Sequence, residues 1–85
     1  MNFKFYKDLA KCYKALGLSQ AKITEFSASK NQLNKVLLGL LYIENGDLKR
    51  GVIILDEFTM KEPDLLITPA VKQFIKETVS KINSL

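Results

Sequence analysis

Histidine and tryptophan are absent from this 85-residue chain, and cysteine and arginine occur once each. Without histidine the chain lacks the commonest general base and neutral metal ligand. A single cysteine, Cys12, excludes an intramolecular disulfide and leaves too few thiolates for a zinc cluster within the chain. Gly17, Gly39, Gly46 and Gly51 are scattered, and none stands before the Lys-Ser/Thr pair of a phosphate-binding loop. Asp56 and Glu57 are adjacent, so on a helix they diverge by about 100° and cannot share a proton as a catalytic dyad does; they read as a solvated edge. No enzymatic activity, cofactor or metal is expected.

Long hydrophobic runs are missing too. Nothing approaches the roughly 20 apolar residues needed to span a bilayer. Met1 to Asp8 mixes charges with aromatics and lacks the apolar core and small-residue cleavage site of a secretory signal. One cysteine suits a reducing compartment, so a cytoplasmic location is expected.

What the chain does have is 47% hydrophobic and 26% charged residues, a composition that folds. Residues 1–85 make one domain, and a domain this small buries only about 60% of its unfolded surface, so a partner covering apolar area would stabilise it. The net charge of +4 is carried mostly by lysine. That balance suits weak attraction to acidic partners, whereas nucleic-acid readers usually carry several arginines for bidentate contacts, and the charge alone decides nothing.

The fold is organised around Leu33 to Phe58. Leu33, Val36, Leu37, Leu40 and Leu41 share one helical face, and Leu38, Tyr42 and Ile43 widen it until little of the helix is left for water. After Glu44-Asn45-Gly46-Asp47 a second apolar run, Val52 to Leu55, begins. Asn-Gly between apolar runs is also a β-hairpin signal. Neither run alternates, however, and a two-residue loop would set Glu44 opposite Asp47. A helical hairpin meets no such conflict: Gly46 supplies a left-handed residue to end one helix, and Asp47 caps the next.

In chain order, a first helix spans about Asn2 to Leu16, with Phe5, Tyr6, Leu9, Ala10, Tyr13 and Leu16 as its apolar face and Gly17 as its stop. Cys12 is expected to be a small buried hydrophobe beside Ala10 and Tyr13. Lys4, Lys7, Lys11 and Lys14 form a stripe, either a solvated face or a surface for an acidic partner. Ser19 should cap a short second helix carrying Ala21, Ile23 and Phe26, and Ser29 with Gln32 should form a capping box for the central one. Pro63 ends the fourth helix, and Thr68-Pro69 should open an amphipathic fifth. Its stripe is Val71, Phe74, Ile75, Thr78, Val79, Ile82 and Leu85, opposite Lys72, Lys76, Glu77 and Lys81.

The chain also repeats itself. Leu9-Ala10-x-x-Tyr13-x-x-x-Gly17 recurs 29 residues later as Leu38-Gly39-x-x-Tyr42-x-x-x-Gly46, with Phe26 and Leu55 following at matching distances. The small residue admits a second helix closely, the tyrosine fills the space between helices, and the glycine permits the reversal. On these residues the chain resembles the tetratricopeptide repeats, helical hairpins that stack into a solenoid. Gly51 and Pro63 fit the second unit, whereas Lys35 and Phe58 replace the tryptophan and alanine the family prefers. The first unit is shorter than the family's and has Lys22 where a small residue belongs.

The resemblance implies an all-α fold of about five helices, stacked as antiparallel hairpins with a C-terminal capping helix. It also implies protein binding in a groove between helices. In size, lysine content and the single good repeat, the chain is similar to the small chaperones of bacterial type III secretion systems. Those hold the amphipathic helix of a needle subunit together with a second small helical protein. The partner that the resemblance implies is an aggregation-prone amphipathic helix of a secreted filament subunit, with a small co-chaperone. Tyr13, Leu38, Tyr42, Leu55 and Phe58 are expected to line the groove, although ordinary core packing would use the same side chains.

Two rival readings remain. Leu16 to Ile23 looks like the first helix of a DNA-binding helix-turn-helix, with Lys30, Asn31, Gln32, Asn34 and Lys35 able to meet base edges. Against it, the intervening turn lacks glycine and the second helix runs into the most apolar stretch of the chain. The other rival is a homo-oligomer in which the last helix completes a neighbouring copy.

Overall fold

A computed structural model describes residues 2–84. Five helices follow one another: α1 (Phe3–Ala15), α2 (Ser19–Ala28), α3 (Gln32–Glu44), α4 (Leu48–Lys61) and α5 (Thr68–Asn83). Among the described residues there is no strand, so the bend at Asn45 and Gly46 joins helices and not extended ladders. The fold is all-α.

The centre is α3, which packs against α1, α2 and most extensively α4, while α5 packs on α4. Every residue from Val36 to Leu41 is buried, as expected for a helix enclosed on several sides. The bend is a two-bond helix stop. Gly46 sits at φ +90°, its N–H donates to Ile43 O, the Asp47 N–H reaches back to Tyr42 O at 2.9 Å, and the Asp47 carboxylate accepts from the Arg50 N–H. Beyond the bend, Gly39 and Gly51 face each other across the seam. A Cβ on Gly39 would lie 2.8 Å from Leu55 Cγ, and one on Gly51 would lie 2.7 Å from the Gly39 carbonyl oxygen. These two small residues set the close approach of α3 and α4, and Leu55 fills the seam with no exposure.

Several local expectations are corrected. The buried face of α1 is Phe3, Tyr6 and Ala10, with Leu9 and Tyr13 half-buried, whereas Phe5 and Leu16 are exposed. The helix is apolar on two adjoining stripes, and α3 takes the one through Phe3. That rotation also turns Cys12 outward, so it is exposed instead of buried. Ser19 does not cap α2. The left-handed Gly17 draws the Leu18 N–H back to Tyr13 O at 2.8 Å, which leaves Leu18 in the capping position and buries Ser19 Oγ without a hydrogen bond among the described residues.

No capping box forms at α3 either. Asn31 Oδ1 accepts from the Leu33 N–H at 2.8 Å, while Ser29 Oγ accepts from the Asn31 N–H and from Asn34 Nδ2. Gln32, as the first helical residue, lies too early to reach back. At α5, Ile67 occupies the cap with no side-chain bond, and the Thr68 hydroxyl instead donates to Glu62 O at 2.6 Å. Within that helix Val71 and Thr78 are buried and Val79 is exposed; Ala21 of α2 is exposed as well. Leu85 lies outside the described residues.

Candidate protein-binding groove

The C-terminal ends of α1 and α3 lie together, pinned by Lys14 Nζ, which donates to Glu44 O at 2.6 Å. On the far side α5 meets α1 through an edge-to-face contact of Phe3 and Phe74, with ring centroids 5.4 Å apart. Lys7 Nζ stands over both rings, at 5.4 and 5.6 Å from their centroids, a cation–π arrangement that closes this end. From there a hollow of about 180 Å³ runs over α3 between α1 and α5. Ala10, Leu40, Ile43 and Phe74 form its apolar lining, and Lys7, Lys11, Lys81 and Glu44 its polar one. Ala10 and Leu40 are buried in the core, so Ile43 and Phe74, both half-buried, carry the apolar area still open to a guest.

The lining is electropositive: Lys7 and Lys11 of α1 and Lys81 of α5 stand against Glu44. A hydrogen bond from Lys4 Nζ holds the exposed Asp8 carboxyl below its usual range, with nearby Lys11 and Lys7 adding to the effect. Among the described residues Lys7, Lys11 and Lys81 take part in no ion pair.

The five side chains expected to line a groove are dispersed. Leu38 and Phe58 meet in a second, smaller hollow of about 130 Å³ between α3 and α4, together with Lys35 and Lys61, but they are only 6% and 1% exposed. Leu55 lies in the seam behind them. Tyr13 packs against Phe26 at 6.1 Å under Lys22, and Tyr42 is covered by the Arg50 guanidinium at 5.2 Å. Each tyrosine is half-buried on a different flank.

Of the polar groups named for base contacts, three are engaged within the chain. Asn31 caps α3, Asn34 bonds Ser29, and Lys35 Nζ donates to the carbonyls of Phe26 and Ser27 at the end of α2. Among the described residues no group of three or more His, Cys, Asp and Glu side chains could hold a metal ion, and no helix is long and apolar enough to cross a membrane.

The residues that form the larger hollow were only partly legible. Lys7 and Lys11 belong to a lysine stripe visible in the sequence, but Phe74 and Lys81, expected on opposite faces of α5, line the hollow together, because α5 packs on α4 and touches α1 through Phe74 and Phe3. Comparison with known families, curated proteins and solved structures finds no match for this chain.

Proposed function

We propose that this chain is a protein-binding module, a small chaperone that holds an amphipathic helix of a partner against the trough formed by α1, α3 and α5. The reading rests on one observation above all: Ile43 and Phe74 remain half-buried in a hollow walled by two helices, where a guest's apolar stripe would complete their burial. A chain this small gains stability from such a guest, and the guest is kept from self-assembly while its stripe is covered. In keeping with the resemblance to type III secretion needle-subunit chaperones, the proposed guest is a secreted filament subunit, with a small helical co-chaperone as a further partner. The proposed location is the cytoplasm, and neither catalysis nor a cofactor enters the proposal.

The test is assembly of a self-associating amphipathic helical subunit, followed by light scattering with and without the full chain. Stoichiometric suppression is the expected result. An assembly rate unchanged by a molar excess of chain contradicts the proposal, and so does a stable homodimer that occupies the trough itself.

A further inference from the structure

The lining of the trough also states what kind of helix fits it. This inference rests on the binding reading above and adds the chemistry of the guest. The hollow of about 180 Å³ is slightly larger than the roughly 150 Å³ cavity that accepts a benzene ring, so it seats one large aromatic or branched aliphatic side chain and not a whole helix. The rest of a docked helix must lie along the walls, where Lys7 and Lys11 stand on α1 and Lys81 on α5. Among the described residues Glu44 is the only carboxylate in the lining, leaving an excess of positive charge there that no described ion pair neutralises.

We infer that the trough selects an acidic amphipathic helix, with one bulky apolar side chain seated on Ile43 and Phe74 and Asp or Glu residues on both edges of its apolar stripe. Nucleic acid carries the same sign of charge but fits worse. The floor between the lysines is apolar, and the one arginine, Arg50, is engaged with Tyr42 and Asp47 on another flank. Exposed lysine–carboxylate pairs are individually weak, so three together are worth about a tenfold preference, and salt removes it as the screening length falls from about 10 Å at 0.1 M to 3 Å at 1 M.

Two synthetic, fluorescently labelled peptides of about 18 residues test this, long enough to form a helix on binding. They share one leucine stripe centred on a phenylalanine and differ in having Glu or Lys along its edges. Anisotropy titrations with the full chain at low salt should show the Glu peptide binding about tenfold tighter, with the difference disappearing near 1 M salt. In the triple variant Lys7→Glu, Lys11→Glu, Lys81→Glu the preference should reverse; circular dichroism checks that the variant is helical, and Lys81→Glu alone, at an exposed position, should narrow the preference if the triple variant unfolds. Equal binding of both peptides overturns the acidic preference and leaves the binding reading standing. Binding of neither peptide to the folded chain overturns both. A labelled single-stranded oligonucleotide that binds more tightly than the Glu peptide also overturns the inference.

Discussion

At the scale of single residues, the seam between α3 and α4 has the least slack. A methyl group on Gly51 meets the Gly39 carbonyl oxygen at 2.7 Å as well as Ile43, and a backbone atom cannot swing away. Overpacking costs about 1–3 kcal/mol, whereas replacing a helical glycine by alanine returns about 1 kcal/mol, so Gly51→Ala should destabilise the chain by up to about 2 kcal/mol in urea unfolding. Leu55→Ala should cost more, about 2–5 kcal/mol, because Leu55 is fully buried. Ser19 separates the sequence expectation from the structure. A capping serine would lose about 1 kcal/mol on conversion to alanine, but Ser19 Oγ makes no hydrogen bond among the described residues, so Ser19→Ala should be neutral or stabilising. Cys12 should react fully with a thiol reagent in the native state, since it is exposed. These cases show where local pattern fails: Ser19 and Thr68 look like caps by residue type, but the left-handed Gly17 and the Glu62 carbonyl decide what their hydroxyls do.

At the scale of elements, protection is expected to be unequal. Because α3 is enclosed by α1, α2 and α4, its amides should exchange only through global unfolding. The second helix buries only Ile23 and Phe26 and has no side-chain cap, so its amides should exchange earlier; equal protection of α2 and α3 would contradict this packing order. Along α1 the Lys4–Asp8 pair gives a pH dependence of known sign. The folded-state value of Asp8 is depressed, so its contribution is complete above the ordinary carboxylate range and is lost as pH falls through the folded value. Thermal midpoints should therefore be insensitive to this pair between pH 6 and 8, and Asp8→Asn should lower the midpoint there only slightly, because both groups are exposed to solvent. The central hairpin was legible because its signals are local: an apolar run, Gly46 at the bend, Asp47 as cap, and Gly39 with Gly51 at the seam. The rotation of α1 was not, because Phe3 and Phe5 lie on adjoining stripes and only packing on α3 chooses between them.

At the scale of the whole molecule, the trough depends on the two ends of the chain meeting through Phe3 and Phe74, under Lys7. No spacing rule connects residues so far apart, which is why the sequence pointed to the repeat positions Tyr13, Leu38, Tyr42, Leu55 and Phe58 while the hollow lined by Lys7, Lys11 and Lys81 lies elsewhere. The lysine stripe on α1 was readable; the opposite wall was not. The proposal that α1, α3 and α5 hold the guest is tested most directly by titrating the Glu-edged peptide into isotope-labelled full chain and following backbone amide shifts. Changes centred on Lys7, Lys11, Ile43, Phe74 and Lys81 are the expected result. Changes centred instead on the hollow at Leu38 and Phe58, or on the exposed Leu65 and Leu66 between α4 and α5, would contradict it.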